Sequence, residues 1–135
     1  MNIDGRCHCG LITYEAEIDP NEVEICHCTD CQMLSGSAFR TVVGALDGTF
    51  RLRSGKPKSY VKTAASGRQR AQVFCPECGT PIYSGPVGSA PGWIGLRVGT
   101  IRQRDTLRPS AQYWCRSAQD WVGDIDAIRK FEADG

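Results

Sequence analysis

Seven of the eight cysteines in this 135-residue chain fall into three short clusters, and their spacing is that of metal ligands. Cys75-Pro76-Glu77-Cys78-Gly79 has the form of a zinc knuckle. Its two thiolates reach one ion, and the glycine permits the tight left-handed turn that follows. A closed structural zinc takes four sulfurs at about 2.3 Å, so a second pair is required. Cys7-His8-Cys9-Gly10 is the natural source of it. That leaves Cys26, Cys28 and Cys31 as a group of three, with Cys115 standing alone.

Three protein ligands and an open fourth position belong to a reactive zinc rather than a structural one. Three thiolates and Zn²⁺ carry one net negative charge, which makes the ion a poor Lewis acid for generating hydroxide. Such an ion favours a soft fourth ligand, for example a substrate thiolate kept deprotonated at neutral pH. Thiol chemistry is therefore expected over hydrolysis. Other uses of the triplet stay open at this level: closure by a fourth protein ligand such as Cys115 or a histidine, an iron–sulfur cluster, or a dithiol switch. Alternation along an extended segment aims His8 and His27 away from the metal, toward solvent or a backbone partner. Cys115, between Trp114 and Arg116, reads as a small strand residue.

Composition sets the frame for these sites. Apolar content of 41% and a net charge of +1 exclude a disordered tail, and the length suits one domain over residues 1–135. No uncharged run is long enough to span a membrane, and the charged N-terminus does not read as a signal peptide. A cytoplasmic, reducing location is expected, where eight cysteines serve metal or redox chemistry rather than disulfides. Charge is uneven along the chain: Met1–Asp47 has two basic and eight acidic residues, whereas Gly48–Pro76 has seven basic residues and no acid. Those seven (Arg51, Arg53, Lys56, Lys58, Lys62, Arg68, Arg70) form either a docking surface for an anionic partner or the charged faces of edge strands.

The elements that must position the cysteines read as short strands. Ile12, Tyr14, Ala16 and Ile18 alternate with polar residues, and Asp19-Pro20-Asn21 is expected to end that strand. Extended runs follow at Val23–Cys26, Phe39–Val43, Pro81–Ser84, Trp93–Val98 and Gln112–Cys115, with an antiparallel meander over 49–75. Helix is expected only as one turn at Cys28–Leu34 and over Asp124–Glu132, where Ile125, Ile128 and Phe131 have helical spacing behind an aspartate cap. The fold class is all-β, built of small antiparallel sheets, without internal repeats.

The ordered set Gly5-Arg6-Cys7-His8-Cys9-Gly10, Cys26-His27-Cys28, Cys31, Ser35-Gly36 and Phe74-Cys75-Pro76-Glu77-Cys78-Gly79 resembles the glutathione-dependent formaldehyde-activating family. That family shares its domain with centromere protein V. Gly55, Tyr60, Val98-Gly99-Thr100, Trp114, Ser117 and Trp121 extend the likeness over roughly residues 5–121. The resemblance implies an Mss4-like all-β fold with two Zn²⁺ per chain. Cys7, Cys9, Cys75 and Cys78 match the structural ligands, and Cys26, Cys28 and Cys31 match the catalytic ones. It also implies a carbon–sulfur lyase that joins glutathione to formaldehyde, giving S-(hydroxymethyl)glutathione. Two positions depart from the family pattern: Gln112 stands where many members have His, and Asp120 where a Pro usually precedes the last Trp. The alternative is a non-catalytic zinc module for protein or nucleic acid. The near-neutral charge and the lack of a dense basic run argue against nucleic acid. Exposed strand edges would permit a homodimer.

Overall fold

The computed structural model describes residues 1–134. The alternation at Ile12–Ile18 builds the central element: Ile12, Tyr14, Ala16 and Ile18 are all buried, and the residues between them face outward. This strand, β2, runs from Thr13 to Cys26 without stopping at Asp19-Pro20-Asn21. The expected break is instead a register irregularity between Ile18 and Val23. Proline has no N–H for a ladder, so a bulge is where a strand can hold one. The irregularity divides β2 between two sets of partners. Its first half pairs with β1 (Asn2–Arg6) and β4 (Arg51–Ser54). Its second half pairs antiparallel with β3 (Arg40–Ala45) and parallel with β9 (Ala111–Tyr113).

From β3 the sheet continues through β8 (Gly95–Arg97), β7 (Pro81–Gly85) and β6 (Gln69–Phe74) to the edge strand β5 (Lys58–Thr63). Nine strands are thus joined through β2 in an all-β, mostly antiparallel fold. The expected meander over 49–75 is not continuous. β5 and β6 form a hairpin, but β4 pairs with β2. Gly55 explains the departure: its φ is +81°, and a Cβ there would lie 2.5 Å from the Leu11 carbonyl oxygen, so only glycine lets the chain turn against the 11–12 segment.

Helix is scarcer than its spacing promised. One α-helix, α1, spans Thr29–Ser35 and buries no residue. The segment expected as helix at Asp124–Glu132 is 3-10 turn only as far as Ala127, with a kink at Asp124. Ile125, Ile128 and Phe131 are exposed, so the helical spacing has no core to face, and a short helix without packing is marginal. Cys115 lies in a 3-10 turn (Cys115–Ser117) and is exposed, not a strand residue. Among the described residues no helix is long and apolar enough to cross a membrane.

The core gathers Ile3, Ile12, Tyr14, Ile18, Val23, Val43, Ile82, Leu96 and Ile101, and it includes Cys7 and Cys75. Tyr14 is buried, with its hydroxyl 2.7 Å from Thr100 Oγ1. Its ring fills the space above Gly5 on the paired strand, where a Cβ would come within 2.3 Å of the ring. Gly5→Ala is therefore expected to destabilise the fold by about 1–3 kcal/mol, the usual cost of overpacking. Chemical denaturation measures it, and an unchanged midpoint would contradict this packing.

Candidate functional site

Two separate groups of sulfurs emerge from the fold. The first forms where the turn before β2 meets the turn between β6 and β7. Each turn closes on a glycine of positive φ: Gly10 N–H donates to the Cys7 carbonyl at 3.2 Å, and Gly79 N–H to the Cys75 carbonyl at 2.9 Å. The four sulfurs of Cys7, Cys9, Cys75 and Cys78 lie within 4.8 Å of one another. Cys7–Cys9 and Cys9–Cys75 are separated by 3.6 and 3.7 Å. A disulfide needs about 2.05 Å. The edge of a tetrahedron with bonds of about 2.3 Å is about 3.8 Å, so these sulfurs fit one closed tetrahedral metal site. Thr80 is a member that spacing did not reveal. Its hydroxyl lies 3.1 Å from Cys78 Sγ and accepts the His8 N–H at 3.1 Å. That hydroxyl, with nearby backbone N–H groups, holds the Cys78 thiol down to about 5.

The second group is Cys26, Cys28 and Cys31, again with all sulfurs within 4.8 Å. Cys26 ends β2, while Cys28 is the N-cap of α1 and its Sγ accepts the Cys31 N–H at 3.3 Å. Burial raises the Cys26 thiol and pushes Cys31 up to about 12. Burial also opposes ionisation of Cys28, yet the Cys31 N–H, the neighbouring thiols and the Lys62 ammonium outweigh it and hold that thiol low. No His, Asp, Glu or further Cys among the described residues joins the three. Cys115, one candidate for closure, instead rests its sulfur 3.8 Å from the Gln112 carbonyl oxygen.

His27 takes a role that spacing did not show. The expectation was an exposed or backbone-bonded ring, and His8 is indeed exposed. His27 instead is buried edge-on against Phe39, with its Nε2 2.8 Å from Gln112 Oε1. Its backbone is fastened as well: its N–H donates to the Tyr113 carbonyl, and its carbonyl accepts from Gln32 Nε2 and Ser117 Oγ. The loop holding Cys26 and Cys28 is thereby anchored to β9 and to the turn after it. This gives Gln112 a structural role.

The triplet opens onto a cavity of about 590 Å³ whose walls carry Arg40, Lys62, Arg68, Arg70 and Arg97 against the acids Glu24 and Asp30. Lys62 is paired with Asp30 at 2.8 Å. Of the basic segment noted in the sequence, only Lys62, Arg68 and Arg70 reach this cavity. Arg53 instead pairs with Glu15 beside β2. Arg40 and Arg97 lie outside that segment, and strand pairing brings them in. Trp93 lines the same cavity with its indole seated over Gly44 and Gly95, where any Cβ would meet the ring within 2.6 Å. Arg70 donates to the Trp93 carbonyl at 2.9 Å and stacks over its ring at 5.6 Å.

Gln112→Ala removes the side-chain partner of His27 Nε2 in a buried setting where Nδ1 already has none. A loss of about 1–3 kcal/mol is expected, together with faster hydrogen exchange around 26–31. Denaturation and exchange measurements check both, and an unaltered stability would contradict the anchoring role.

Known proteins resemble this chain in sequence and in fold. An uncharacterized lyase of Schizosaccharomyces pombe is 29% identical over 80 residues, covering 59% of this chain and 55% of that protein. The match thus spans only about half of that relative's length. A crystal structure of a Rhodobacter sphaeroides protein superposes with a TM-score of 0.61 at 20% identity, covering 81% of this chain and 98% of the other, which shows a shared fold. The family model described as glutathione-dependent formaldehyde-activating enzyme matches residues 2–117. With both cysteine groups inside that match, the chain belongs to the glutathione-dependent formaldehyde-activating enzyme family.

Proposed function

We propose that this chain is a zinc-dependent carbon–sulfur lyase acting on glutathione or a similar thiol, forming or splitting an adduct such as S-(hydroxymethyl)glutathione. The observation that carries the reading is a three-cysteine group without a fourth donor among the described residues, set in the wall of a cation-rich cavity. In this reading Cys7, Cys9, Cys75 and Cys78 hold a structural zinc, and Cys26, Cys28 and Cys31 hold a second one. Zinc on three thiolates supplies an open position suited to a soft sulfur donor, which it keeps deprotonated at neutral pH.

The protein's own residues do the rest. Cys28 is fixed by its cap to α1 and Cys26 by the end of β2, and all three cysteines line the cavity. Arg40, Arg70 and Arg97 have no carboxylate partner within salt-bridge distance among the described residues, which leaves their charge for the acid groups of the thiol. Trp93 gives the cavity an apolar wall. In the net reaction a carbon–sulfur bond forms at the aldehyde carbon, the thiol S–H breaks and the proton ends on the former carbonyl oxygen. The balance needs no oxidant or reductant.

Magnetisation-transfer NMR of glutathione with formaldehyde tests this by reading exchange between free thiol and adduct. The zinc-loaded chain is expected to accelerate exchange and to bind two zinc ions, one much easier to remove with chelator. Cys28→Ser is expected to abolish the acceleration in a folded protein, whereas Cys78→Ser unfolds the chain. No acceleration, or equal collapse of both variants, would favour a non-catalytic zinc module and sink the lyase reading.

A further inference from the structure

One group in the cavity is unbalanced even after the cysteines are accounted for. Arg40 is only 7% exposed and stands opposite Cys26 across the β2–β3 ladder. Arg97, on β8, pairs with Val42 two residues along β3, and both guanidinium groups converge on one acceptor. Arg40 Nη1 lies 3.3 Å and Arg97 Nη2 2.9 Å from Gln72 Oε1. Arg97 Nε is buried without any partner, and its Nη1 reaches only the Gly95 carbonyl at 3.4 Å. Burial, reinforced by the like charge of Arg40, pulls Arg97 down to about 9. Two guanidinium groups sharing a neutral amide oxygen repel one another, and a buried unpaired donor is unfavourable.

We infer that Arg40, Gln72 and Arg97 form a fork that binds a carboxylate of the thiol substrate, restricting the three-cysteine centre to acid-bearing thiols. This rests on the lyase reading for its substrate, though not for the binding itself. Guanidinium planes match carboxylates in bidentate geometry, and a carboxylate that replaced the Gln72 amide as acceptor would meet both guanidinium groups, one of which has its Nε unsatisfied. The fork is open to ligand: all three residues line the 590 Å³ cavity of the triplet and also a smaller one of about 170 Å³. Charge points the same way. Five cationic side chains in the cavity face two carboxylates, and three thiolates on zinc add one negative charge, leaving a surplus of two positive. A thiolate centre alone therefore does not neutralise the wall. Formaldehyde carries no charge, so the acid must come with the thiol.

The test uses S-methylglutathione, which has both carboxylates and no free thiol, so its binding requires neither turnover nor a sulfur–metal bond. Calorimetry is expected to show binding to the wild type. Gln72→Glu places a carboxylate between the two arginines and fills the fork from within. It should raise the Tm by about 5 °C and weaken S-methylglutathione by about tenfold or more. Arg97→Lys keeps the charge without the planar fork and should lose about tenfold as well. Arg53→Gln makes the same charge change as Gln72→Glu beside β2, away from the cavity, and should bind as wild type. No binding by the wild type would overturn the proposal. So would wild-type affinity in both fork variants, which would leave the arginines a structural role. An equal loss in Arg53→Gln would overturn it too, by assigning the effect to overall charge. If S-methylglutathione binds in this pattern and adduct exchange is not accelerated, the fork stands and the lyase reading falls.

Discussion

Four sulfur atoms meet where two turns come together, placed so that one metal ion would tie distant parts of the fold. Cys7 and Cys75 belong to the hydrophobic core, yet they lie sulfur to sulfur with Cys9 and Cys78 at distances suited to one metal ion. Ionised thiols packed this closely would repel, and neutral ones would be held only by weak S–H contacts. A divalent cation turns the same packing into a strong cross-link. The link joins the entry of β2 to the exit of β6, segments far apart in sequence. Cys75 follows β6 directly, so fixing it fixes Gln72 three residues earlier on that strand. β2, fixed at its entry, ends in Cys26. A metal in the four-sulfur site would thus help to fix both the triplet and the arginine fork.

The two cysteine groups show how one ligand type serves two ends. In the first, two glycine turns each present two sulfurs, and the set closes on itself. In the second, the three sulfurs come from a strand end and the first turn of a short helix, and no fourth donor among the described residues joins them. Buried His27, between Cys26 and Cys28 in the chain, ties this segment to Gln112, Gln32 and Ser117. A metal held by three sulfurs would keep a coordination position for a substrate, which is what separates the proposed reactive centre from the proposed structural one.

The cysteine groups and the Ile12–Ile18 strand were legible in the sequence because they rest on local spacing. Strand β1 was missed: only Ile3 and Gly5 face inward, too few for a periodic signal. Asp19-Pro20-Asn21 looked like a stop because a lone proline does not distinguish a turn from a bulge. Ile125, Ile128 and Phe131 have helical spacing but no surface to pack on, which composition alone does not show. The charged site was half legible. The run of basic residues at 51–70 was visible, yet four of its seven members do not line the cavity. The two most buried cations there, Arg40 and Arg97, are 57 residues apart in the chain, and the pairing of β3 with β8 brings them together. Gln72 was unremarkable until the fold placed it between them.

A closed metal centre beside one with room for a substrate sulfur has a distinct spectroscopic signature. X-ray absorption at the zinc edge of the fully loaded chain reads this directly. An average of about 3.5 sulfurs per zinc is expected, rising to about 4 when glutathione is added. An average of 4 sulfurs before any thiol is present, unchanged by glutathione, would contradict it.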